Sequence, residues 1–177
     1  MGWLERLDVI DWIDAVVDGD PDAELLLFGV SMGGATVMMA SGETLPGNVK
    51  CIIEDCGYSS VWEEFSLQIR KIFHVPAFPL LNIADIVCRI RGGYSFKEAS
   101  AVNQLKKAAV PMLFIHGEAD IFVPYSMLNT VYEACASAEK ERLSVPGGTH
   151  AQSVNTDPKL YWDTVTAFSA KYFKGLT

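Results

Sequence analysis

The chain has 177 residues, half of them hydrophobic, and a formal net charge of −8 from 14 basic and 22 acidic side chains. That is enough polymer to bury a core, and too apolar a composition for a disordered segment. Holding a phosphate backbone or an acidic lipid surface depends on clustered cations; with no basic run to offset the acid, neither nucleic acid nor a membrane is expected as a partner.

The opening Met1-Gly2-Trp3-Leu4-Glu5-Arg6 has neither the basic start nor the unbroken apolar run of a secretory signal. Residues 3–17 place Trp3, Leu7, Ile10, Ile13 and Val17 at the spacing of one helical stripe, which Gly19-Asp20-Pro21 ends. Residues 24–30 are a short apolar run without alternation, as expected of a strand buried on both faces of a parallel sheet. A glycine-flanked turn follows, then a helix of small residues from about 33 to 41 and a second strand over 49–54. Ser60 and Glu63 are spaced as a capping box for a helix running towards Phe73. Pro76 and Pro79 interrupt, and Ile83 to Ile90 forms another helix. The third strand is 111–116, and Pro124 opens a helix reaching about Ser137. The fourth strand is 141–145, and a last helix from Asp157-Pro158 presents Tyr161, Val165, Phe168 and Tyr172 on one side. Strands alternating with helices predict an α/β fold, a mostly parallel sheet with helices on both faces. The whole chain, 1–177, is expected to be one domain with a helical insertion over about 60–108.

Gly29-Val30-Ser31-Met32-Gly33 is a Gly-x-Ser-x-Gly sequence lying where a buried-type strand runs into a helix. A serine on so sharp a turn needs small neighbours, and the helix that begins there aims its free N–H groups at the hydroxyl. Among those N–H groups, that of Met32 is the expected donor to an oxyanion. A serine hydroxyl is a weak nucleophile until a base, itself held by an acid, takes its proton. His150 suits the base, in the loop Pro146-Gly147-Gly148-Thr149-His150 directly after the fourth strand. His74 lies in the helical insertion, and His116, closing the third strand, reads as a packed core histidine. Asp120 suits the acid, just past the third strand; Glu118 and, after the second strand, Asp55 are the rivals. Ser31, Asp120 and His150 follow the chain order of one known family of serine triads. Met32, Tyr58, Trp62, Phe65 and Phe122 are the apolar candidates for a substrate pocket. Cys51, Cys56, Cys88 and Cys135 lack CxxC spacing and are read as reduced thiols of a cytoplasmic protein, with neither a disulfide framework nor a metal site expected.

The segments Gly-Val-Ser-Met-Gly-Gly, Ile-His-Gly-Glu-Ala-Asp-Ile-Phe-Val-Pro and Gly-Gly-Thr-His resemble those of the α/β-hydrolase superfamily. More closely, they are similar to its bacterial carboxylesterase-like and prolyl-oligopeptidase-like hydrolases. The resemblance covers nearly the whole chain. It implies a nucleophile at Ser31, an acid at Asp120, a base at His150, no cofactor, and a cap over the active site formed by the insertion. Ester hydrolysis is the leading activity; peptidase and thioesterase chemistry use the same residues, and a non-catalytic, truncated unit is the alternative.

The four strands correspond to the later ones of that fold, so the early strands and the loop supplying a second oxyanion donor are expected to be missing. On that view residues 24–30 form a bare sheet edge, which favours pairing between copies into a homo-oligomer, and turnover of small ester or acyl substrates is expected to be impaired.

Overall fold

Four parallel strands lie side by side in chain order in a computed structural model that describes residues 1–174. They are β1 (Leu25–Val30), β2 (Val49–Asp55), β3 (Met112–Gly117) and β4 (Lys140–Val145). Ile53 pairs with Phe28 on one side and Leu113 on the other. Parallel neighbours cannot be joined by a hairpin, so each connection crosses over through helix. α1 (Glu5–Gly19) precedes β1, and α2 (Met32–Ala40) joins β1 to β2. Between β2 and β3 come α3 (Val61–Phe73), α4 (Leu80–Gly92) and α5 (Ala101–Leu105). α6 (Ser126–Ala134) joins β3 to β4, and α7 (Ser153–Thr156) and α8 (Pro158–Ser169) follow.

Alternation along the two central strands feeds two separate cores. Ile52, Met112 and Phe114 pack with Met38 and Met39 of α2 and Leu105 of α5. Cys51, Ile53, Leu113 and Ile115 pack with Tyr161, Val165 and Phe168 of α8 on the opposite face. Because both faces of β2 and β3 are covered, their sequences read as continuous apolar runs. Burial also decides the fate of α2. Gly33 and Gly34 cost about 1 kcal/mol each against alanine in a helix, but each large apolar side chain buried contributes roughly 1.5–3 kcal/mol. Residues 34–40 are all buried, and the helix holds.

Several expectations need correction. β1 is not buried on both faces: Leu26, Phe28 and Val30 are between 36% and 41% exposed. α8 covers the sheet over β2, β3 and β4, and no described element extends that cover across β1, one of the two edge strands. α6 begins at Ser126 rather than Pro124 and stops at Ala134. The Tyr125 N–H turns back to the Asp120 carbonyl at 3.3 Å, and Met127 N–H bonds Pro124 at the tighter i→i−3 spacing, so these residues form turns. Cys135 is already extended, and Ala136 N–H donates to Leu105. In α1 Ile13 is buried, but Leu7 and Trp12 stay exposed. Half of the expected capping box is formed, with Ser60 Oγ accepting the Glu63 N–H at 3.2 Å, while the Glu63 carboxylate accepts from Ser59 Oγ. No described helix is long and apolar enough to cross a membrane.

β2 ends with a buried acid. Glu54 accepts the Gly57 N–H at 2.9 Å through Oε2, while Oε1 is buried without a partner among the described residues. Burial pushes this carboxyl well above the ordinary range, the Gly57 bond pulling weakly the other way. The native state therefore holds a proton that the unfolded chain releases. In the window from the ordinary glutamate range up to the raised value, this group's contribution to stability falls as pH rises. Glu54→Gln removes the titration, so the fall in urea midpoint between about pH 5 and about pH 8 should be smaller in that variant than in the parent.

Candidate active site

Ser31 sits at the junction of β1 and α2 with φ 56° and ψ −116°, a left-handed conformation that costs a non-glycine residue energy. Two features hold it there. The Ser31 N–H donates to the Asp55 carbonyl at 2.8 Å, tying the turn to the end of β2. Gly29 lies so close to the start of α2 that a Cβ would stand 2.2 Å from the Gly33 carbonyl oxygen. The expectation that both flanking glycines avoid clashes thus narrows to Gly29, since a Cβ at Gly33 would meet open space. The Met32 N–H belongs to the first helical turn, whose donors have no intrahelical acceptor.

Asp120 and His150 come from the loops after β3 and β4, and backbone contact brings those loops together. A Cβ on Gly117 would stand 2.2 Å from the Gly148 carbonyl oxygen. That same carbonyl accepts the Ala119 N–H at 2.9 Å. The result is a continuous hydrogen-bonded line. Ser31 Oγ is 2.8 Å from His150 Nε2, and His150 Nδ1 is 2.8 Å from Asp120 Oδ2. A carboxylate only accepts, so Nδ1 carries the proton and Nε2 is left as an acceptor for the serine hydroxyl. Phe122 packs against the imidazole with ring centroids 4.8 Å apart.

Asp120 is held from both sides. Its Oδ1 accepts the N–H groups of Phe122 at 2.9 Å and Val123 at 3.0 Å. Its Oδ2 faces a second histidine, with His116 Nε2 at 3.3 Å. Burial works to raise this carboxyl, but bonding to His116 and His150 outweighs it and holds the group far below the carboxylate range. His116 is fully buried, and its Nε2 also lies 3.0 Å from the Val123 carbonyl. Two acceptors around Nε2 place the proton there. His116 is a core histidine as expected, but its position against Asp120 was not anticipated from the sequence.

The other candidates sort as follows. Tyr58, Phe65, Phe122 and Met32 line a cavity of about 250 Å³ beside Ser31, together with Val123, Glu64 and Gln68. Trp62 does not: it borders a different groove with Glu63, Ser66 and Arg70, under the Lys97 ammonium. Asp55 points away from His150 and accepts instead from Ser153 Oγ at 3.2 Å and Tyr161 OH at 3.0 Å. Glu118 and His74 are exposed. Cys56, Asp120 and His150 each place one potential ligand atom within 4.8 Å of the others. Burial, with Asp55 beside it, pushes the Cys56 thiol strongly upward.

Comparison with known proteins places the chain in a family. Residues 5–176 match the model of the prolyl oligopeptidase family. The uncharacterized protein YqkD of Bacillus subtilis is 31% identical over 142 residues, covering 80% of this chain and 46% of that protein. The chain spans about half the length of the curated relatives it matches. Among solved structures, the Pyrococcus horikoshii acylaminoacyl peptidase superposes with a TM-score of 0.71 at 18% identity, over 99% of this chain and 29% of that one. The Pyrococcus furiosus esterase PF2001 superposes with a TM-score of 0.73 at 16% identity, over 96% of this chain and 63% of that one. These likenesses carry the α/β-hydrolase fold, and on the match over nearly its whole length the chain belongs to the prolyl oligopeptidase family.

Proposed function

We propose that the protein hydrolyses carboxylic esters or related acyl compounds through a covalent acyl-enzyme, with Ser31 as nucleophile, His150 as base and Asp120 as its orienting acid. The observation that carries this reading is the unbroken path from Ser31 Oγ through both ring nitrogens of His150 to Asp120 Oδ2, each step 2.8 Å. Ser31 Oγ attacks the acyl carbonyl as its proton passes to His150 Nε2. The imidazolium so formed is stabilised by the ionised Asp120 and returns the proton to the leaving group. The tetrahedral oxyanion faces the Met32 N–H at the positive end of α2. Water then repeats the sequence in reverse order on the acyl-enzyme. The segment 60–108 acts as a cap, since α3 supplies Glu64, Phe65 and Gln68 to the cavity wall beside Ser31. The mostly apolar lining suits an acyl chain or aromatic group.

The same reading extends to assembly. β1 leaves its outer edge unpaired and Leu26, Phe28 and Val30 partly exposed, with Trp162 of α8 half exposed beside them. An apolar strand edge of this kind pairs with another chain, and the proposed partner is a second copy.

A fluorophosphonate probe is expected to label the parent at Ser31 and to leave Ser31→Ala unlabelled, while Asp120→Asn lowers turnover of a short-chain nitrophenyl ester by roughly ten-thousandfold. Equal labelling of parent and Ser31→Ala overturns the mechanism. Light scattering at micromolar concentration should give a mass above that of one chain, and Phe28→Lys should lower it; a monomeric parent overturns the pairing.

A further inference from the structure

Among the side chains lining the cavity beside Ser31, one charged group is not used by the proposed mechanism. Glu64, on α3, is 3% exposed and borders the cavity with Met32, Tyr58, Phe65, Phe122 and Val123. One of its oxygens is accounted for. Oε1 accepts Gln68 Nε2 at 2.6 Å, and the same amide reaches the Phe122 carbonyl at 3.0 Å, which ties α3 to the Asp120 loop. The other oxygen is not. Oε2 is buried and has no hydrogen-bond partner among the described residues. The nearby Lys71 does not supply one, since its Nζ is bonded to the Ile121 carbonyl.

An isolated carboxylate oxygen in an apolar wall is costly, because burial strips its water and nothing replaces it. A purely structural tie between α3 and the Asp120 loop needs only Oε1. What Oε2 lacks is a donor, and a cation is the donor that compensates most fully for a lost hydration shell.

We propose that Glu64 is a specificity-determining residue whose free Oε2 receives an ammonium group on the acyl part of the substrate, so that the preferred substrates are amino-bearing acyl compounds such as aminoacyl esters and amides. This rests on the reading of Ser31 as an acyl-transfer nucleophile and narrows it. Burial pushes the Glu64 carboxyl upward, against the opposing pull of Gln68, His150 and Lys71. An ammonium seated at Oε2 would pull the carboxyl downward again, so binding and ionisation reinforce each other.

The test uses two esters of one fluorogenic alcohol that differ only in charge, the β-alanyl and the butanoyl ester, in which an ammonium replaces a methyl group. The parent chain is expected to favour the β-alanyl ester by at least about tenfold in kcat/KM, and Glu64→Gln should bring that ratio to about one. A parent without the preference overturns the inference regardless of how the variant folds. So does a Glu64→Gln protein, folded by circular dichroism, that keeps the ratio while both rates fall together. A second arm needs no turnover: in Ser31→Ala, benzylamine should bind more tightly than benzyl alcohol by ligand-observed NMR, and the added Glu64→Gln should abolish the difference. Hydrolysis of both esters without a charge preference removes the role of Glu64 and leaves the hydrolase reading standing. Ammonium preference in the binding arm with neither ester hydrolysed does the reverse.

Discussion

At the carboxyl end of the sheet the loops after β3 and β4 touch through bare backbone, and the site depends on that approach. Gly117 and Gly148 come so near that no Cβ fits between them, and the Gly148 carbonyl also takes the Ala119 N–H. The contact sets the distance between Asp120, three residues past Gly117, and His150, two past Gly148. A second close approach, Gly29 against Gly33, sets the strained turn of Ser31. The three side chains are thus placed by backbone packing rather than by their mutual hydrogen bonds. Preorganisation of this kind lets a hydrogen-bond relay form without losing freedom at the moment of reaction.

β2 ties these loops into one unit. The carbonyl of Asp55 accepts the Ser31 N–H, and its carboxylate accepts from Ser153 and Tyr161, both beyond His150 in the chain. Burial raises the Asp55 carboxyl while the hydroxyls of Tyr161 and Ser153 pull it down. The residue weighed as a rival acid therefore works as a brace between the serine turn and the segment that follows the base. His116 plays a comparable part for Asp120, filling the buried side of the carboxylate that His150 leaves open.

β2 and β3 were legible as apolar runs, and the three central side chains because a serine, an aspartate and a histidine stand shortly past the ends of β1, β3 and β4, each in a glycine-bearing turn or loop. What escaped depends on phase and on neighbours far along the chain. α5 and α7, with five and four residues, are too short for any periodicity to show. β1 reads like β2 in composition, so its half-exposed face escaped, although the family resemblance puts it at a sheet edge. Trp62 and Glu64 show the problem of phase. An aromatic residue beside Tyr58 and Phe65 looks like pocket lining, and two acids in the first turn of a helix look like surface charges favouring its dipole. In α3 the inward face is instead Val61, Glu64, Phe65 and Gln68, an i, i+3, i+4, i+7 stripe with two polar members. A hydrophobic template passes over such a stripe because half of it is not hydrophobic.

That stripe changes the electrostatics around His150. Two carboxyl groups act on the imidazole, and their surroundings drive them in opposite directions. Asp120 is buried too, but it takes two backbone N–H groups on one oxygen and faces two imidazoles with the other, so it stays ionised. Glu64 has a single amide donor and an apolar wall, so burial prevails and the proton is held more tightly. Carboxyls separated in this way can take separate tasks within one small cavity. The one with several donors suits a permanent charge that steadies an imidazolium. The one with a single donor suits a partner that brings its own charge, and the apolar side chains around it leave the acyl end of a substrate as the natural carrier of a cation.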